Sequence, residues 1–192
     1  MPITTKPSLQ PDPSLPARLS KANLAVSPCY QCRKCSSGCP LTFAMDLLPD
    51  RVIRLALLGQ EDRVLNCRTI WVCSSCETCT TRCPNGIDIA GVMDWLKEEA
   101  VTRGVATPQP GVVAFHRVFL ESIRRAGGRL PEALMLRRYG LFKLWHRPNI
   151  PELVRDLKLG LKLYRKGRLR LAGPKALKGQ AEIEAIFKQA EF

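Results

Sequence analysis

Apolar residues recur at helical spacing in two stretches near the middle of the chain. Val52, Leu55, Ala56 and Leu58 follow Asp50, a suitable helix N-cap, and Gly59 can stop the run. Farther on, Asp88 can cap a helix whose Ile89, Val92, Met93, Leu96 and Ala100 share one face. No stretch of this region alternates with period two for long enough to suggest a sheet. The pattern predicts an all-α protein.

Beyond Pro108 and Pro110 the apolar stripes narrow. Val112, Phe115, Phe119 and Ile123 form one, ended by Gly127 and Gly128. Pro131 opens a second short helix, Pro151 a third bearing Leu153, Leu157, Leu161 and Tyr164, and Ile183, Ile186 and Phe187 give a last stripe. Faces this narrow need a partner to cover them. At the other end, residues 1–28 hold six of the fifteen prolines (Pro2, Pro7, Pro11, Pro13, Pro16 and Pro28) among Ser, Thr and Lys, a composition that predicts a flexible tail. Within it only Leu24, Ala25 and Val26 suggest an ordered piece, a strand against a partner. The expected organisation is a tail over 1–28, a core domain over 29–104 and a helical extension over 105–192.

Length and composition add bounds. With 192 residues, 45% hydrophobic and 24% charged, the chain has ordinary globular usage, too short for a large multidomain enzyme and too apolar for disorder throughout. Thirty Lys and Arg against seventeen Asp and Glu give a formal +13. The excess falls after residue 100, where 19 basic face 7 acidic residues, against 11 and 10 before it. A basic helical extension can bind nucleic acid, anionic lipid or an acidic protein surface. Its charges are spread over several helices with no helix-turn-helix, RNA-recognition or zinc-finger signature, which favours a protein partner and disfavours nucleic acid.

No run approaches the roughly 18 to 20 apolar residues of a membrane-spanning helix, and the amino terminus lacks an apolar signal core. The expectation is a cytoplasmic protein with no transmembrane segment. Thiols stay reduced in that compartment, so a cysteine-rich chain there reads as a metal protein and not as a disulfide scaffold.

All nine cysteines lie between Cys29 and Cys83, and eight obey one rule. Cys29, Cys32, Cys35, Cys39 and Pro40 reappear 44 residues later as Cys73, Cys76, Cys79, Cys83 and Pro84. The spacing C-x2-C-x2-C-x3-C-P is that of bacterial two-cluster ferredoxins. Three thiolates within seven residues can wrap one face of an iron–sulfur cube with little closure cost. The proline after the fourth cysteine then turns the chain out of the loop. In two-cluster ferredoxins that fourth cysteine serves the other cluster. The expected ligand sets are therefore Cys29, Cys32, Cys35 and Cys83 for one 4Fe-4S cluster, and Cys73, Cys76, Cys79 and Cys39 for a second. Zinc is the competing reading, but zinc ribbons use two cysteines per arm, whereas each unit here has four.

Other residues add less. Cys67 stands outside both units and reads as a buried, unligated thiol. Trp71 and Val72 are expected to pack over the second cluster and limit solvent. Arg33 and Lys34, inside the first loop, would favour the reduced cluster, weakly if exposed. His116 and His146 have no Cys, His or acidic partner at ligand spacing, and no P-loop, GxGxxG or HExxH occurs. No catalytic residue is expected.

The stretch Cys29-Tyr30-Gln31-Cys32-Arg33-Lys34-Cys35-Ser36-Ser37-Gly38-Cys39-Pro40, followed by Thr69-Ile70-Trp71-Val72-Cys73 and Cys79-Thr80-Thr81-Arg82-Cys83-Pro84, resembles the C subunit of heterodisulfide reductases. The likeness covers Cys29 to Ala100, with a fainter echo in Gly160 to Gly167, and extends to relatives from bacterial and archaeal sulfur oxidation. It implies an alpha-helical ferredoxin with two 4Fe-4S clusters, relaying electrons between a flavin-bearing A-like subunit and a catalytic B-like subunit in disulfide or sulfur metabolism. No Cys-Cys pair of the B-like kind occurs here. Two other readings remain at this stage: a nucleic-acid-binding protein with structural clusters, and the iron–sulfur subunit of another quinone- or fumarate-linked oxidoreductase.

Overall fold

The computed structural model describes residues 11–126, 132–146, 150–169 and 179–189. Gly127, Gly128 and Pro131, where the sequence places a helix end and a helix start, lie outside them. Among the described residues every regular element is helical, as the hydrophobic periodicity predicts. The chain divides into two units, Met1–Gln109 and Pro110–Phe192.

The first unit contains α1 (Ser14–Lys21), α2 (Lys34–Ser37), a 3-10 turn (Thr42–Ala44), α3 (Pro49–Leu57), α4 (Glu61–Leu65), α5 (Thr69–Val72), α6 (Thr78–Thr81) and α7 (Ile89–Thr102). Helix α1 corrects the expectation of a flexible tail over 1–28, at least from residue 11 onward. Leu15 and Leu19, one turn apart and so on one face, are wholly buried, and Val26 is 1% exposed. The prolines that suggested disorder are compatible with this helix. Pro13 precedes it, and Pro16 sits in the first turn, where a missing N–H breaks no helical hydrogen bond. Asp12 accepts from the Ser14 amide at 2.8 Å. Arg18 ion-pairs with Glu61 of α4 and Glu99 of α7, and its guanidinium lies 5.5 Å from the Trp95 ring centre. Leu24 to Val26 form no strand.

Helix α3 starts at Pro49, whose fixed φ suits the first helical position, with Leu48 as N-cap. Asp50 is therefore not the cap that its position suggested; it lies inside the first turn, 4% exposed. Val52, Ile53, Leu55 and Ala56 are buried. Gly59 ends the run with φ +67, and a Cβ there would stand 1.8 Å from the Asp12 carbonyl oxygen, so no other residue fits. Asp88 does cap α7, accepting from the Gly91 amide at 2.8 Å. Ile89, Val92, Met93, Leu96 and Ala100 are all buried, as predicted.

Asp46 ties the connection after the first cysteine run to the start of α5. It accepts the Arg68 and Thr69 amides at 2.8 and 2.9 Å and lies 2.8 Å from the Thr69 hydroxyl. Burial pushes its carboxyl up. The hydrogen bonds from Arg68, Thr69 and Leu47 outweigh that and hold it below the ordinary carboxylate range.

The second unit contains α8 (Pro110–Arg125), α9 (Glu132–His146), α10 (Ile150–Arg165) and α11 (Gln180–Gln189). On α8 the most buried residues are the small Ala114 and Ser122, and not the expected stripe, from which Phe115 remains 37% exposed. Phe115 stacks on Phe119 and meets Tyr139 of α9 edge-on, 5.5 Å between ring centres. On α10, Leu157, Leu161 and Tyr164 are exposed. Among the described residues no helix is long and apolar enough to cross a membrane.

Candidate metal centre

The two cysteine runs repeat in conformation as well as in sequence. Gln31 and Arg33 both have φ 63, and their counterparts 44 residues on, Ser75 and Glu77, have φ 52 and 58. Each pair brackets the middle cysteine of its run, Cys32 or Cys76. A non-glycine residue in the left-handed region costs about 1 to 3 kcal/mol and persists where the surroundings impose it. The two left-handed residues curl each run, and the one-turn helix that follows, α2 or α6, carries the third cysteine. None of the four positions holds glycine, so nothing local in the sequence signals this strain.

After each third cysteine a hydroxyl ties the run to the next long helix. Ser36 donates to Asp50 Oδ1 at 2.5 Å and accepts from the Asp50 amide at 2.9 Å. Thr80 donates to Asp88 at 3.2 Å and accepts from the Ala90 amide at 3.1 Å. Asp50 and Ala90 thus occupy matching stations, one in each half of the repeat.

Around these runs lie two cavities. One is lined by Cys39, Cys73, Cys76 and Cys79, with Leu41, Met45, Pro49, Ala90 and Met93 among its walls. The other is lined by Cys29, Cys32, Cys35 and Cys83, with Gln31, Arg33, Asp50, Ile53, Ile87 and Ile89. Their volumes, open mouths included, are about 380 and 310 Å³. Four cysteines thus line each cavity, with Cys39 and Cys83 each lining the cavity of the opposite run. None of the cysteines is in a disulfide. Among the described residues no three Cys, His, Asp or Glu side chains converge closely enough for a single metal ion. Four soft thiol donors spaced about an apolar hollow suit a multi-iron sulfide cluster.

The thiols differ in environment. Burial pushes Cys35 up to about 11 and raises Cys73 and Cys79 as well. Exposed Cys76 is lowered by its hydrogen bond with the Thr78 hydroxyl, 3.5 Å away. The Gln31 side-chain amide donates to Cys29 Sγ at 3.1 Å, and Lys97 Nζ donates to the Cys73 carbonyl at 3.0 Å. Sequence reasoning missed Asp50, which α3 brings into a cavity wall, and Lys97, which α7 brings to the Cys73 carbonyl, because both come from outside the two runs.

Residues expected near the clusters are not all there. Trp71 and Val72 do not line the second cavity; Trp71 is 7% exposed in the core, and Leu41, Met45 and Met93 take the covering role. Cys67 lines neither cavity. It is 4% exposed, its thiol donates to the Val64 carbonyl at 3.1 Å, and burial raises its pKa, as an inert core thiol requires. Arg33 lines the first cavity but is 70% exposed. His116 lies on α8 and His146 ends α9, both in the second unit.

Residues 25–87 match the 4Fe-4S dicluster domain family. With the cavities above, this defines the class: an all-helical protein holding two 4Fe-4S clusters. The chain is 33% identical over 113 residues to the C subunit of the ferredoxin:CoB-CoM heterodisulfide reductase of Methanosarcina mazei, covering 59% of this chain and 66% of that one. It is 31% identical over 107 residues to an iron–sulfur C subunit of the CoB–CoM heterodisulfide reductase of Methanocaldococcus jannaschii, covering 56% and 54%. It is 31% identical over 80 residues to the C subunit of the H(2):CoB-CoM heterodisulfide,ferredoxin reductase of Methanothermobacter marburgensis, covering 42% and 43%. The chain spans about half the length of these relatives. In its dicluster part the chain is similar to the C subunits of heterodisulfide reductases.

Proposed function

We propose that this chain is the electron-transfer iron–sulfur subunit of a heterodisulfide reductase-like complex in disulfide or sulfur metabolism, acting between a flavin-containing A-like subunit and a catalytic B-like subunit in the cytoplasm. The observation that carries this reading is the pair of thiol quartets, each around its own cavity, interlocked through Cys39 and Cys83. Cys29, Cys32, Cys35 and Cys83 would hold one 4Fe-4S cluster, and Cys39, Cys73, Cys76 and Cys79 the other. Bound clusters supply one-electron carriers whose potentials follow hydrogen bonding, charge and exposure.

The chain's own residues supply the rest. The left-handed turns aim three thiols of each run at one hollow. Ile53, Ile87 and Ile89 in one cavity, and Met45, Pro49 and Met93 in the other, give each quartet an apolar wall that limits solvent on that side. The middle cysteines, Cys32 and Cys76, are exposed, leaving each cavity one face for exchange with a partner. We assign residues 105–192 to partner binding. The supporting facts are their basic excess and the exposed Trp145, Ile150 and Leu157, at 87, 71 and 73%, apolar surface of the kind that marks an interface.

Anaerobic affinity purification from the native source, with iron and acid-labile sulfide counted on the same sample, tests the reading. About eight irons and copurifying A-like and B-like subunits are expected. Two bound zincs, or nucleic-acid binding that falls steeply with salt without a redox partner, would overturn it.

A further inference from the structure

The two halves repeat each other closely, so the stations where they differ carry information. At the position whose amide binds the hydroxyl after the third cysteine, the first half has Asp50 and the second has Ala90. Both line a cavity: Asp50 that of Cys29, Cys32, Cys35 and Cys83, Ala90 that of Cys39, Cys73, Cys76 and Cys79. One site thus has a carboxylate in its wall where its twin has a methyl group.

Nearby compensating charges are unequally screened. The Asp50 side chain is 5% exposed, whereas Arg33 and Arg51, both 3.9 Å from it, are 70 and 62% exposed. Water weakens the two arginines more than the carboxylate. Near the other site, the carboxylate that accepts from Thr80 is the exposed Asp88, outside the cavity wall, and the best-shielded charge is Lys97, with a side chain 19% exposed and its Nζ on the Cys73 carbonyl. Its partner Asp94 is 46% exposed, so the ammonium is the better shielded member of that pair.

A reduced cluster carries one more negative charge than an oxidised one. We propose that Asp50 makes the Cys29/Cys32/Cys35/Cys83 site the low-potential one, and that Lys97 makes the Cys39/Cys73/Cys76/Cys79 site the one where an electron rests. An electron from a one-electron donor would then favour the second site over the first. One electron passes from the first site to the second, with no bond made and no proton moved. This inference rests on the ligand sets proposed above.

The test is an anaerobic reductive titration of the full chain, followed by electron paramagnetic resonance, on protein with its iron counted. Two separate one-electron steps are expected, and Cys32→Ser, which swaps one thiolate of the first site, should alter the lower one. Asp50→Asn should raise the lower step by at least a tenfold change in equilibrium, about 59 mV for one electron, and leave the upper step in place. Lys97→Gln should lower only the upper step, and Lys97→Arg should leave it unmoved. Lys97 is partly exposed, so Lys97→Gln decides the matter even if Asp50→Asn loses its cluster. Steps that stay put in Lys97→Gln, or that move at the other site, overturn the assignment while a count of about eight irons leaves the ligand sets standing. A wild-type count far below eight overturns the ligand sets and this inference together.

Discussion

Cys39 and Cys83 stand in exchanged positions: each ends one cysteine run in sequence and lines the cavity of the other run in space. Crossing of this kind makes the two halves depend on each other, because neither quartet is complete within its own run. With the proposed ligand sets, metal binding would become part of the folding free energy of the dicluster part.

Paired substitutions separate crossed from uncrossed ligation. Cys39→Ser with Cys79→Ser should spare the Cys29, Cys32, Cys35 and Cys83 site and leave about four irons per chain. Cys39→Ser with Cys35→Ser damages both sites and should leave far fewer. Equal iron in the two double variants would contradict the crossing.

Helix α1 should be required for stability. Leu19→Ala removes a wholly buried side chain and should cost about 2 to 5 kcal/mol, read from denaturant unfolding under anaerobic conditions. A tail without packing would tolerate the change, so an unshifted midpoint would remove α1 from the core.

Asp46→Asn should destabilise the protein by about 1 to 2 kcal/mol, toward the low side for hydrogen bonds to a charged acceptor because the carboxylate is partly solvated. The pH dependence follows from its depressed value. A carboxylate lowered on folding contributes its stabilisation fully above the unfolded value near about 3.9. That contribution disappears as pH falls through the folded value. The deficit of the variant should therefore hold constant from pH 8 down to about pH 5 and shrink only in acid. Thermal melts of both proteins across that range check it, and a deficit that grows in acid would rule out the carboxylate as its source.

Cluster assembly should release protons from the buried thiols. Cys35, pushed up to about 11 by burial, must lose its proton to become a ligand. Reconstitution of the apo-chain with iron and sulfide should accelerate between about pH 7 and pH 9. The rise should be less steep when Cys35 is replaced by Ser. A flat profile in the unaltered chain would show that thiol deprotonation does not limit assembly.

Much of the first unit was legible from local pattern. The α7 face, its Asp88 cap, the Gly59 stop and the doubled cysteine run are short-range features, and each acts through neighbours within a turn or two. Asp50 shows how that reading fails. Its sequence setting resembles a cap, but Pro49 begins the helix and Ser36, fourteen residues away, takes the carboxylate. The amino-terminal prolines misled for a similar reason. Composition measures average tendency, while Leu15 and Leu19 are buried on a helix that packs against α3 and that Arg18 ties to α4 and α7.

The spacing of thiols along the chain was enough to indicate two 4Fe-4S clusters, because donor chemistry and loop closure act over a few bonds. What surrounds each quartet was decided only by packing. Asp50 and Ala90 reach the cavities, and Lys97 the Cys73 carbonyl, from helices outside the runs, and the left-handed turns at Gln31, Arg33, Ser75 and Glu77 are imposed on residues with no preference for them. Charge and strain at these sites depend on distances through space, which a linear order of residues does not contain.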